Sequence, residues 1–303
     1  MSLPAHVQRA WRRNRSEWLP FLAFVSPGLC LFALFTYWPI VYSAYLSLTD
    51  WNLIRPDAAF VGAQNYARLF RDAAFWEVMV NTFLYALCVV GAAQVLGFAL
   101  AQLLNQPLRG RALLRTVAFT PYVTTPAAAA LIFVLLLDPH YGPLSLVYGA
   151  FGIEGPAWLG NAWLALGALI LVGIWKEISF AAVFFLAGLQ GLPRECYEAA
   201  AIDGSSRLRT LWHLTIPLLS PVFFFLMVTG FIAATKTFDS VAIMTEGGPV
   251  YPDSSLYVYH LYELAFRDFR AGYASAMASV FFVATVALTA LQFRWARRWV
   301  HYE

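Results

Sequence analysis

Six long apolar runs, separated by stretches rich in Pro, Gly, Asp and Asn, constrain this chain more than any other feature of it. A helix needs about 20 mostly apolar residues to cross roughly 30 Å of hydrocarbon. The runs fall at residues 21–46, 78–104, 117–137, 163–189, 217–235 and 272–293, and none of them alternates as a barrel strand would. Only 12% of the residues are charged, about half the share usual in a soluble domain. The reading is an all-α membrane protein of six transmembrane helices. Pro27 and Pro39 are expected to bend the first, a break that neighbouring helices can tolerate.

The arginines orient the spans. Most of the 20 basic residues fall on one side: Arg9, Arg12, Arg13 and Arg15 before the first span, and Arg109, Arg111 and Arg115 after the second. Arg194, Arg207 and Arg209 follow the fourth span, and Arg294, Arg297 and Arg298 follow the sixth. The other side holds Arg55, Arg68, Arg71, Lys236, Arg267 and Arg270 among many acids, including Asp50, Asp57, Asp138, Glu154 and Glu246. Short loops rich in Arg stay in the cytoplasm, so both termini are expected there, in a bacterial inner membrane. The division that follows is a cytoplasmic segment 1–20, a six-span domain 21–293 with a cytoplasmic loop at 190–216, and a cytoplasmic tail 294–303. The apolar run after the basic N-terminus is too long for a signal-peptide core and reads as a first span.

The loop between the fourth and fifth spans has its own architecture. Pro193 suits a helix start, where a missing N–H costs nothing, and Glu195 and Glu198 suit the positive end of the helix dipole. Ala199, Ala200 and Ala201 favour helix and leave a face that another protein can approach. Asp203 and Gly204 should end that helix, and Ser205 or Ser206 should cap the next. The expected product is a short helix–turn–helix presented to the cytoplasm. The plainer alternative is an amphipathic connector.

Glu198-Ala199-Ala200, then Gly204 after three residues, then Leu214-Thr215-Ile216-Pro217 after nine more, resembles the EAA loop of binding-protein-dependent ABC importers. Two further stretches resemble the carbohydrate and glycerol-phosphate branch of that family. They are Phe238-Asp239 with Thr245-Glu246-Gly247-Gly248-Pro249, and Phe60-Val61-Gly62-Ala63-Gln64-Asn65-Tyr66. Within that branch, Ile174-Trp175-Lys176-Glu177-Ile178-Ser179 and a tail running from Gln292 to Tyr302 are similar to the glycerol-phosphate permeases. The resemblance implies a type I importer (MetI-like) permease bundle. Its implied partners are a second homologous permease, a dimer of ATPase subunits that binds the ATP and Mg, and an extracytoplasmic solute-binding protein. It also implies that Glu198, Ala199, Ala200, Asp203 and Gly204 couple to the ATPase. The implied cargo is glycerol-3-phosphate or a glycerophosphodiester, with a maltose- or trehalose-like oligosaccharide as the alternative.

Charges inside the spans mark a second candidate site. Lys176 and Glu177 lie near the middle of the fourth span, where a charge costs about 2.5–3.5 kcal/mol on insertion scales and must face protein or water. They point about 100° apart around a helix, so each needs a partner elsewhere. Two readings stay open: a translocation path, or pairing within the bundle or with a second subunit. In a related maltose permease the substrate contacts come from helices matching the fourth and fifth spans. The equivalent positions here are near Gly173, Lys176, Glu177, Phe180, Gly230, Ala234 and Thr237, with Phe238 and Asp239 beside them. Several are small or charged where amides would be expected, which argues against an identical maltose-type site.

Other chemistries lack their signatures. There is no Gly-x-x-x-x-Gly-Lys-Ser/Thr phosphate loop and no His-Glu-x-x-His pair. His6, His140, His213, His260 and His301 are scattered, as are Cys30, Cys88 and Cys196, so neither a metal site nor a disulfide framework is expected. The chain is therefore read as a non-catalytic subunit with no cofactor of its own and no nucleic-acid partner. A secondary transporter, the rival from another class, would leave the cytoplasmic loop unexplained and often shows an internal repeat; none is visible here.

Overall fold

The computed structural model describes residues 5–55, 57–107 and 109–300, and leaves out the side chains of 5–17 and 19. The side chains of Arg9, Arg12, Arg13 and Arg15, and the tail residues His301 and Tyr302, lie outside the described residues. In chain order the helices are α1 (Ala5–Phe32), α2 (Trp38–Leu46), α3 (Gln64–Leu69), α4 (Ala73–Leu104), α5 (Arg111–Val123), α6 (Pro126–Leu137), α7 (Pro143–Ala150) and α8 (Ala162–Gln190). They continue as α9 (Arg194–Ile202), α10 (Arg207–Thr210), α11 (Ile216–Leu218), α12 (Ser220–Thr235), α13 (Asp239–Met244), α14 (Tyr257–Tyr262) and α15 (Ala271–Ala296). Among the described residues the only β pairing is an isolated bridge between Thr49 and Phe60.

Each of the six apolar runs lies in a crossing, but two crossings are broken. Pro20–Leu46, α4, α8 and α15 are each long and apolar enough to span as single helices. The third crossing is α5 and α6 bent by 101°, and the fifth is Arg207–Leu218 and α12 bent by 62°. Both had read as continuous runs, because hydropathy does not register a backbone break. Pro126 supplies the first break: it has no N–H to donate and drives Thr125 into extended backbone, where the Thr125 hydroxyl caps Ala128 N–H at 3.4 Å. At the second, Pro221 deprives the Pro217 carbonyl of its helical donor, and Ser220 Oγ donates to that carbonyl instead at 2.7 Å.

The first span is a single helix across both of its prolines. It runs through Pro27 and Pro39, and a π turn at Ala33–Tyr37 absorbs the register change before Pro39, with Trp38 N–H donating to Ala33 O five residues back. None of its apolar window is buried, and Phe24 is 93% exposed. Every other continuous span buries part of itself. The rest of the bundle centres on α4 and α8, which touch closely: a Cβ on Gly97 would lie 2.6 Å from that of Ala181. Phe185 is fully buried there with its ring 4.5 Å from Phe223. Beyond the spans, α13 packs on the bundle through buried Val241 and Met244, and α14 through Tyr257, whose hydroxyl donates to Met277 O at 2.6 Å. Asn65 is buried and ties the chain after the first span in place, donating to Ser47 O at 2.9 Å and Thr49 O at 2.7 Å.

Candidate functional site: a docking hairpin and a cavity in the bundle

The loop after α8 forms the expected helix–turn–helix. α9 starts directly after Pro193 with Glu195 in its first turn. It ends in a Schellman motif: Ser205 N–H donates to Ala200 O at 2.9 Å and Gly204 N–H to Ala201 O at 3.1 Å. That closure requires the left-handed backbone of Gly204, at φ +68°, which a residue with a Cβ enters only at a cost. Of the two candidate caps, it is Ser206 that accepts from Arg209 N–H, at 3.4 Å, and opens α10. Glu198, Ala199, Asp203 and Gly204 are exposed and Ala200 half-buried. Around them stand Ile202, Leu208 and Trp212, which are 87%, 65% and 62% exposed. Sequence reasoning passed over these three; apolar side chains in a helix–turn–helix that no span covers were the available signal. Tyr197 ties α9 back to the fifth crossing through a 3.0 Å hydrogen bond between its hydroxyl and that of Thr215.

The second site is a cavity of about 260 Å³ between α4, α6, α8, α12 and α13. Of the path residues read from the sequence, Gly173, Lys176, Glu177, Thr237, Phe238 and Asp239 all line it, as does Ala234. Phe180 does not. It borders a separate small void with Gly230 and stacks on Tyr122 at 4.9 Å, because it lies one turn further along α8. Lys236 lines it too, and so do Tyr85, Pro126 and Ser240, which were not anticipated. Tyr85 belongs to α4 and sits in an unbroken apolar run, so no local signal marks it.

Close packing shapes this cavity. A Cβ on Gly173 would lie 2.5 Å from the Tyr85 hydroxyl and 2.8 Å from Val89 Cγ2, so glycine there gives the phenol its room. Thr237 Oγ1 donates to that hydroxyl at 3.4 Å. Lys176 donates to Thr124 O and, at 3.3 Å, to Pro121 O, carbonyls at the end of α5 that the broken third crossing leaves without helical donors. Its partners are thus backbone groups within the bundle. Among the described residues, Lys176, Glu177, Lys236 and Asp239 form no ion pairs, and all four line the cavity.

Six crossings, two of them broken, with a capped helix–turn–helix between the fourth and fifth, define a membrane permease. The family model for the inner membrane component of binding-protein-dependent transport systems matches residues 93–301, and the chain belongs to that family of ABC-importer permeases. It is a multi-pass inner-membrane protein and a non-catalytic transport component. The sn-glycerol-3-phosphate transport system permease protein UgpA of Yersinia pestis bv. Antiqua (strain Antiqua) is 34% identical over 290 residues, covering 95% of this chain and 97% of that one. The probable ABC transporter permease protein YurN of Bacillus subtilis (strain 168) is 33% identical over 285 residues, covering 93% and 97%. A solved bacterial ABC transporter involved in the import of the acidic polysaccharide alginate has the same fold. Its TM-score is 0.82 at 20% identity, with 96% of this chain and 99% of that one covered.

Proposed function

We propose that this permease moves glycerol-3-phosphate or glycerophosphodiesters into the cell. The observation that carries the reading is the cavity: Lys176 and Lys236 line it together with the hydroxyls of Tyr85, Thr237 and Ser240. Ammonium groups suit a phosphate, and a hydrogen bond to a charged group contributes about 1.5–3 kcal/mol. Hydroxyls suit the glycerol. Relatives named for this solute over nearly the whole chain support the choice.

The assembly follows the family. A binding protein delivers the solute on the external side, as in the alginate importer solved with its periplasmic protein. A second permease subunit packs against this one, a role supported by the first span, whose apolar window is nowhere buried among the described residues. ATP and Mg bind on a dimer of ATPase subunits, whose movement enters through Glu198, Ala199, Ala200, Asp203 and Gly204 on the exposed face of α9 and its turn. Both termini are cytoplasmic, so that 1–20 and 294–303 flank a six-span domain 21–293.

A sugar is the second reading, favoured by the two carboxylates, Glu177 and Asp239, that could accept from sugar hydroxyls in the same cavity. The deciding experiment is ATPase activity of the complex reconstituted with its binding protein and offered glycerol-3-phosphate, glycerophosphocholine, maltose or trehalose. Stimulation by the phosphate compounds alone is expected, with Lys236→Gln raising the half-maximal solute concentration by about tenfold. Stimulation by a disaccharide would overturn the substrate and leave the permease role standing.

A further inference from the structure

A second, larger cavity lies where α9 meets the ends of α4, α5 and α8. It has a volume of about 800 Å³ and lies apart from the cavity around Lys176. Three guanidinium groups line it: Arg111 and Arg115, one turn apart on α5, and Arg194 at the start of α9. One carboxylate, that of Glu198, faces them. Among the described residues none of the three arginines forms an ion pair. Arg115 donates from Nη2 to Leu104 O at 3.2 Å, at the C-terminal end of α4, while its Nε is closed off from solvent without a partner. A cavity with three guanidinium groups against one carboxylate is short of an anion. Guanidinium groups bind phosphate oxygens through paired N–H donors, with geometry that chloride cannot exploit.

We propose that this cavity binds a phosphate-bearing oxyanion, supplied either as a free phosphate or as the headgroup of an acidic lipid, and that the occupant braces α9 against the bundle. The bound group accepts from Arg111 and Arg194, bridging the third crossing to the docking helix, with the positive charge of Arg115 beside them. Tyr197 already makes one link between α9 and the spans; the oxyanion adds a second on the neighbouring face. Loss of the anion leaves α9 held by that one hydroxyl pair and by its chain connections.

The full-length chain, purified in a neutral detergent, is titrated with inorganic phosphate, with sodium chloride at matched ionic strength as the control. In parallel it is placed in phosphatidylcholine nanodiscs with or without phosphatidylglycerol. The readouts are the thermal unfolding midpoint and hydrogen exchange in residues 194–202. A saturable rise in midpoint with phosphate, with slowed exchange in α9, supports the free-anion source. The same effects from phosphatidylglycerol alone support the lipid source. In either case the double variant Arg111→Gln, Arg194→Gln should weaken the response by about tenfold or more. Both side chains are exposed, so the fold does not depend on them. Glu198→Gln should strengthen it. An equal response to chloride, an unchanged response in the double variant, or no response to either probe overturns the proposal. Because no transported solute enters the measurement, its failure is separate from failure of the substrate assignment.

Discussion

The helix–turn–helix after α8 and the cavity around Lys176 are built by opposite means. Every bond that shapes the turn between α9 and α10 joins residues no more than five apart, as from Ser205 to Ala200. The bonds that shape the cavity join Lys176 to Pro121 and Thr237 to Tyr85, 55 and 152 positions away. The turn closes itself through local chemistry. The cavity borrows its walls from crossings far apart in the chain. The two regions should therefore fail differently when altered.

The largest effect belongs to the hairpin. Gly204→Leu forces a side chain into left-handed backbone at about 1–2 kcal/mol and adds bulk on the docking face. Among the described residues nothing lies within 4 Å of the new Cβ, so insertion should be normal. Uptake should vanish at unchanged membrane levels of the protein, whereas Gly204→Asn, which tolerates that backbone, should keep much of it. Normal uptake by the leucine variant would contradict the coupling role.

In the cavity, a single change should be repairable from a distance. Gly173→Leu collides with Tyr85, and overpacking of this kind costs about 1–3 kcal/mol. It should lower both the unfolding midpoint and uptake. Adding Tyr85→Ala should recover much of the midpoint, giving a large coupling energy in a double-mutant cycle. If the two effects simply add, the side chains do not share space as described.

The smallest effect sharpens the contrast with a region that serves neither site. His260 in α14 is 3% exposed and hydrogen-bonded to Tyr251. Burial holds its pKa below the ordinary histidine value, outweighing Asp72 and Asp268, which act to raise it, while Arg270 adds to the depression. The folded protein thus disfavours the proton that the unfolded chain accepts near pH 6.5. Stability is full above that value and falls as the pH drops below it. Unfolding midpoints measured from pH 7.5 to 5 should decline, and more shallowly for His260→Gln. Equal slopes would remove His260 as the cause.

The same division decides how much could be read in advance. The apolar runs located all six crossings, since length and hydropathy are properties of consecutive residues. Pro193, Gly204 and Ser206 located the hairpin for the same reason. The breaks at Thr124–Pro126 and around Leu219 escaped because a lone proline is compatible with either a kinked or an interrupted span, and packing decides between them. Tyr85 escaped because its role exists only once Gly173 lies opposite. Phe180 was placed in the cavity by homologous position, and one helical turn was enough to carry it out.

The interrupted third crossing also has an electrical consequence. A helix end carries roughly half an elementary charge, negative at the C-terminus and positive at the N-terminus. The break sets one of each inside the bundle: the end of α5, where Lys176 neutralises the exposed carbonyls, and the start of α6, where Pro126 forms part of the cavity wall. With the negative end masked and the positive one facing the cavity, the backbone itself contributes a standing attraction for anions. That contribution would persist in a variant in which Lys236 alone had been replaced, since Lys176 would still mask the end of α5.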